Sequence, residues 1–270
     1  MDHQAIRQQL PQLVAGHLPR TARRFEYNIF DGQPKESTLG FRVDPKPFTG
    51  KVIAHTDEAI VVKIGPAKFA VLHRDLVTAV PDEGPKIDVQ PYARRRFDWQ
   101  RADTPEQVEE RMSDGTTYTV TRLMLGSAPA KLPVAAPKCL ELQQLIEQLE
   151  KLPAPDRHRT IAHMLVDAQA SDFALVDPKP TDIIRTPPTI SFNVATGKFE
   201  GRVSVVYLRA DDAYAVELHR DGEVVERREE IYFDMLGDVL EHLIDDGTWC
   251  RIQVNPVPKT ASQRPRPVAV

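Results

Sequence analysis

The side chains best suited to chemistry lie together in YARRRFDWQR, Tyr92 to Arg101, where four arginines and three aromatic residues share ten positions. Single-stranded nucleic acid is held by basic grooves interleaved with stacking rings. Tyr92, Arg94, Arg95, Arg96, Trp99 and Arg101 have that composition. A second patch, PRTARRFEY, repeats it with Arg20, Arg23 and Arg24 beside Phe25 and Tyr27. On an extended strand Arg94 and Arg96 face one side while Arg95, Phe97 and Trp99 face the other. The competing reading is a strand of core aromatics with solvated arginines, since Asp98, Asp103 and Glu106 stand near enough to neutralise part of the charge.

The opposite charge gathers later in the chain. Residues 1–140 carry 20 Lys/Arg against 17 Asp/Glu, a balance of +3, and residues 141–270 carry 15 against 22, a balance of −7. Glu229, Glu230, Asp238, Asp245 and Asp246 form a candidate acidic partner face. Such a face can dock a basic protein or mimic the spaced phosphates of DNA. The paired acids at Asp211-Asp212, Glu229-Glu230 and Asp245-Asp246 read as turn and helix-end residues, which cap and solubilise.

Catalytic patterns are missing from the sequence. There is no G-x-S-x-G nucleophile turn and no Gly-rich phosphate loop of either the G-x-x-x-x-G-K-[ST] or the G-x-G-x-x-G type. His158 and His163 are five residues apart, about 500° around a helix, so they diverge instead of sharing a metal. His163 and Asp167 have i, i+4 spacing and read as a surface ion pair. Cys139 and Cys250 are the only cysteines, too few for a disulfide framework or a thiolate metal site. The stretch from Phe199 to Val254 has no lysine for a nuclease-type cluster of acids. The expectation is a protein that is not an enzyme and uses neither metal nor cofactor. No apolar run approaches a membrane span of about 18 residues, and the start has no secretory pattern, so the expected setting is cytoplasmic.

The elements that must position these residues follow from periodicity. Ile6, Leu10, Leu13 and Val14 give a short amphipathic helix interrupted by Pro11. GKVIAHT, AIVVKI, KFAVLH and KIDVQPY read as short strands between Gly, Pro and Asp turns, the pattern of a small β-barrel. Thr104-Pro105-Glu106-Gln107 predicts a helix to about Met112, followed by one long strand, TTYTVTRLML. Leu142, Leu145, Ile146 and Leu149 mark one helix, and a second begins at Pro155-Asp156. TISFNVA, GKFEGRVSVVYLRA, DAYAVELHR and EVVERREEIYF are successive strands, with Asp221-Gly222 the strongest hairpin turn. Asp234 is placed to cap a helix, and TWCRIQV to close the same sheet. The 23 prolines cluster, and the clusters mark connectors.

The fold class expected is therefore α+β: a small SH3-like β-barrel plus helix, then a helical hairpin and an antiparallel ββββαβ module. The predicted boundaries are 1–125 for the N-terminal module, 126–138 for a linker, 139–176 for the helical hairpin, 177–188 for a second linker, 189–256 for the ββββαβ module and 257–270 for a disordered tail.

Within the first module, residues 47–92 resemble the KfrB-type domain of accessory proteins of conjugative plasmids and integrative elements. The likeness is carried by Gly50-Lys51-Val52, Asp57, Gly65, His73, Leu76, Pro81, Gly84, Ile87, Val89 and Tyr92. Val62-Lys63-Ile64 departs from it, since the family often has glutamine near the end of that strand. The resemblance implies a bacterial mobile-element setting and carries no catalytic residues. The functional expectation is a non-catalytic accessory protein that binds single- or double-stranded nucleic acid or a partner protein. The alternative is an anti-restriction or defence-inhibiting protein whose acidic C-terminal face imitates DNA to capture a basic host or element-encoded protein.

Overall fold

The computed structural model describes residues 1–122 and 129–258. In chain order the elements begin with helix α1 (His3–Val14) and strands β1 (Glu26–Phe30), β2 (Lys35–Glu36) and β3 (Arg42–Val43). Strands β4 (Phe48–His55), β5 (Ala59–Gly65), β6 (Lys68–His73), β7 (Lys86–Gln90), β8 (Glu106–Arg111) and β9 (Thr117–Arg122) follow. Helices α2 (Leu140–Lys151) and α3 (Ile161–Asp167) precede strands β10 (Ser171–Val176), β11 (Thr189–Ala195), β12 (Glu200–Leu208), β13 (Ala213–Arg220) and β14 (Glu223–Ile231). Helix α4 (Leu236–Ile244) and strand β15 (Gln253–Pro256) complete a mixed α+β chain.

Two compact units result. The first comprises Met1–Gln33, Pro45–Tyr92 and the segment from Cys250. Its sheet has the order β1-β6-β5-β4-β7-β15, with β1 parallel to β6 and the other neighbours antiparallel. Alternating side chains feed two apolar clusters. Val52, Ile60, Val62, Leu72, Ile87, Val89, Ile252 and Val254 form one cluster, with Phe30, Phe48, Ile64 and Leu76 packed against it. On the opposite face Ile53, Val61, Phe69 and Val71 receive Ile6, Leu10 and Val14 of α1. Asp2 caps that helix by accepting from the Gln4 and Ala5 amides. Gly50 is required by close approach, because a Cβ there would stand 2.5 Å from Val62 Cγ1 and 2.7 Å from the Lys63 carbonyl.

The second unit comprises Pro34–Asp44 and Ala93–Trp249. Its antiparallel sheet runs β10-β11-β12-β13-β14. One face carries Ile190, Phe192, Val203, Val205, Val216 and Leu218, which pack with Leu142, Leu145 and Leu149 of α2, Ile161 and Leu165 of α3, and Leu236, Leu240 and Ile244 of α4. Both edge strands carry irregularities in register, with Asp172 on β10 at φ +51° and Glu230 on β14 at φ +56°. Bulges and charged side chains of this kind keep an open edge from pairing with foreign strands.

Several expectations are corrected. The helix placed at 105–112 is strand β8, which pairs with β9 as an isolated hairpin through Val108↔Val120. The local cap signal loses to cross-strand pairing with a Thr-rich partner, and Gly115 at φ +88° makes the turn. The second helix starts at Ile161 instead of Pro155, with Thr160 and His163 forming a capping box. Residues 171–176, assigned to the hairpin, are a fifth strand of the sheet. TWCRIQV does not close the second sheet: β15 pairs with β7 of the first. Neither connector is a free linker. Ala130, Leu132 and Ile183 are buried in the second core, and Asp177 accepts hydrogen bonds from the Lys138 and Cys139 amides. Residues 126–128 and most of the expected tail lie outside the described residues, although the Val257 amide donates to the Lys86 carbonyl.

Candidate partner-binding site

The arginine strip is a tight turn rather than an extended strand. The Trp99 amide donates to the Arg96 carbonyl, the Arg96 amide to Gln100, and the Ala102 amide to Arg94. Arg94 is 1% exposed. Its guanidinium donates to both Asp44 carboxylate oxygens at 3.1 and 3.2 Å, to the Arg42 carbonyl at 3.1 Å and to the His158 carbonyl. Burial opposes ionisation of Asp44, yet the hydrogen bond from His158 and the Arg94 guanidinium hold its carboxyl below the usual carboxylate range. Arg94 is thus a core ion pair and cannot touch nucleic acid. Arg96 is engaged by Glu106 at 2.6 Å and Gln100 at 2.8 Å, and Arg101 by Asp103 at 2.9 Å. Phe97 packs edge-on to Phe173 in the core, and Tyr92 is half-buried in the first unit. Arg95 and Trp99 remain exposed, Trp99 with φ +63°. Arg20, Arg23 and Arg24 are exposed on the segment before β1, in the other unit.

The acidic face is likewise divided. Asp245 is buried and pairs with Arg159, a fully buried guanidinium that also binds Asp156 and Asp167 at 2.9 Å each. The Trp249 ring covers Arg159 at 3.9 Å. Burial works against the charge on Asp156, but the Arg159 field and amide hydrogen bonds keep its carboxyl low. Asp246 accepts from the Gly197 and Thr248 amides. Glu229 pairs with Arg227, while Glu230 and Asp238 are exposed. His163, expected in a surface pair with Asp167, is buried and bonds Thr160 in the helix cap. Among the described residues no group of three His, Cys, Asp or Glu side chains is arranged to hold a metal, and no helix is long and apolar enough to cross a membrane.

A different acidic site emerges where β12, β13, the end of β14 and α2 meet. A cavity of about 570 Å³ is lined by Tyr207, Tyr214, Tyr232 and Phe233 together with Glu141, Asp211, Asp212 and Asp234. Tyr207 and Tyr214 are cross-strand partners with ring centroids 5.6 Å apart. The Tyr207 hydroxyl donates to Asp212 at 2.7 Å, and the Tyr214 hydroxyl to Gln148 at 2.7 Å. Burial, reinforced by Asp212, pushes the Tyr207 phenol up to about 12, so it stays a donor. Tyr232 and Phe233 are 54% and 58% exposed. Arg209 takes up Glu141. Asp211 and Asp234 are exposed and pair with no cation among the described residues.

The sequence assigned Asp234 to a helix cap, but Met235 occupies the N-cap position with no side-chain hydrogen bond, leaving that carboxylate unused. A recoverable signal was present: YLRADDAY and IYFD each place aromatic rings beside acids at strand ends. Ring faces with adjacent carboxylates attract cations, with about 0.5–2 kcal/mol from each cation–π contact. Set against known proteins, no family model matches the chain, and no curated protein and no solved structure is significantly similar to it.

Proposed function

We propose that the chain is a non-catalytic, cytoplasmic accessory protein of a conjugative plasmid or integrative element that holds a basic partner protein on its second unit. The observation that carries this reading is the aromatic pocket in which Asp211 and Asp234 pair with no cation among the described residues. Charge agrees with it. The second unit has 21 Lys/Arg against 30 Asp/Glu, a balance of −9, while the rest of the chain stands at +5. A lysine or arginine side chain of the partner would lie across the rings of Tyr232 and Phe233, with its charge toward the two free carboxylates. The setting comes from the KfrB-type likeness of residues 47–92, and the short antiparallel strands β4 to β7 accord with an SH3-like barrel there. Imitation of DNA by the acidic face is less favoured, because Asp245 and Asp246 are engaged within the fold.

A second reading rests on Arg20, Arg23 and Arg24, which are exposed and have no carboxylate partner among the described residues. They suit contact with nucleic acid phosphates. One experiment separates the two. A fluorescent octalysine peptide should bind the full chain, with loss of about tenfold or more in the Asp211→Lys, Asp234→Lys variant and again in Phe233→Ala. Glu229→Lys with Glu230→Lys changes the charge equally away from the pocket and should leave binding within about twofold. Equal loss in both double variants would refute the pocket as the site. Salt-sensitive oligonucleotide binding abolished by Arg20, Arg23 and Arg24→Gln would favour the second reading.

A further inference from the structure

A second cavity of this unit lies elsewhere, at one end of its sheet. It is an open groove of about 960 Å³, lined by Gln169, Ser171, Asn193, Glu200, Gly201, Arg202, His219, Arg220 and the Asp221-Gly222 turn. Its floor is set by register: Asn193 on β11 faces Arg202 on β12, which faces His219 on β13. These side chains share the sheet face opposite the apolar core, since Phe192, Val203 and Leu218 beside them point inward.

Arg202 is half-buried. Its guanidinium donates to the Ser191 hydroxyl and, at 3.5 Å, to the Asn193 amide oxygen, both neutral acceptors. Among the described residues no carboxylate pairs with it. The Asn193 amide nitrogen is tied to Asp172 at 3.0 Å, so the oxygen is held toward the guanidinium. Arg220 at the rim also pairs with no acid among the described residues and rests over the Phe199 ring at 5.6 Å. Glu217, a half-buried acid on this face, is taken by Arg227 and stands 3.1 Å from His219 Nε2. Elsewhere in this unit the deeply buried arginines, Arg94 and Arg159, are neutralised by carboxylates. Arg202, lining this groove, departs from that pattern among the described residues.

We propose that this groove binds a small oxyanion, a carboxylate or a phosphate group, through the Arg202 fork, with Arg220 closing over it. A guanidinium presents parallel N–H donors that match two oxygens of either group. Positioning of the fork by Ser191 and Asn193 lowers the ordering cost. Glu200 and Asp221 are exposed at the rim, where solvent and salt screen them more than they screen the floor.

The test is a titration of the isotopically labelled full chain, followed by amide NMR in low-salt buffer, with inorganic phosphate and acetate in separate arms. Saturable shifts confined to Gly201, Arg202, His219 and Gly222 are expected. Response to phosphate alone assigns a phosphate ligand, response to acetate alone a carboxylate, and response to both a general oxyanion site. Arg202→Gln should weaken binding by about tenfold or more, the loss of one charge-assisted hydrogen bond. Arg220→Gln, a surface change that spares the sheet, should weaken it less and serves if Arg202→Gln alters the spectrum globally. Absence of saturable shifts with both anions, or equal affinity in wild type and both variants, would overturn the proposal.

Discussion

Arg94→Met tests whether the arginine strip is structural. Arg94 and Asp44 side chains are each 1% exposed. Removing the guanidinium strands a buried carboxylate, at a cost of about 3–5 kcal/mol. His158 Nε2, 3.4 Å from Asp44, retains part of the interaction, which favours the lower end. Both tryptophans, Trp99 and Trp249, belong to the second unit, so urea unfolding followed by tryptophan emission reports that unit alone. With a denaturant slope of about 2–3 kcal/mol/M, the midpoint should fall by about 1–1.5 M. Arg95→Met, at an exposed site one residue away, should shift the midpoint by less than about 0.25 M, matching a surface change of under about 0.5 kcal/mol. Pairing Arg94→Met with Asp44→Leu should recover most of the loss, because apolar replacement of a buried ion pair is close to neutral. Equal midpoints for Arg94→Met and Arg95→Met would refute the burial argument and return Arg94 to the surface.

Two further outcomes follow from the same structure. Ending the chain after Trp249 removes β15 with its buried Ile252 and Val254, about 1.5–3 kcal/mol each; circular dichroism should show the first unit destabilised while tryptophan emission reports an unchanged second unit, and a joint loss of both transitions would contradict the division. Asp44 and Asp156 are held below the ordinary aspartate range in the fold, so their contribution is present above about pH 4 and is lost as pH falls through the folded values. Glu241, raised mainly by burial and then by Asp245, acts with the opposite sign, favouring the fold below 4.5 and losing that contribution as pH rises. Asp44→Asn with Asp156→Asn should therefore flatten the acid side of the urea-midpoint profile, and an unchanged slope would show that these carboxylates are not held low.

What was legible in the sequence is what periodicity encodes locally. Ile6, Leu10 and Val14 mark the buried stripe of α1, and the alternation in residues 48–90 and 189–231 marks strands that exist. Pairing partners are a nonlocal property. The apolar alternation around Ile252 and Val254 suits either sheet, and only packing against β7 decides it. Residues 104–112 carry a sound helix-start signal, yet Val108 and Met112 alone make too short a stripe for a helix to bury, while Val120 offers Val108 a strand partner. Arg94 could not be recognised as a core residue because its counter-ion lies 50 positions earlier.

The same limit governs reading function from charge. A sequence counts charges, whereas recognition depends on those that the fold leaves without partners. Of the strip, Arg94, Arg96 and Arg101 are spent on carboxylates; of the acidic face, Asp245, Asp246 and Glu229 are spent on Arg159, backbone amides and Arg227. Desolvation is why this sorting is strict: a buried charge must be paired or it would not stay ionised, so burial and availability exclude each other. Asp211 and Asp234, given turn and capping roles by their positions, pair with no cation among the described residues and lie next to aromatic rings. Arg202, one arginine among many in the count, is left with neutral acceptors. Both sites are therefore defined by unmet electrostatic demand and not by the local count of charges.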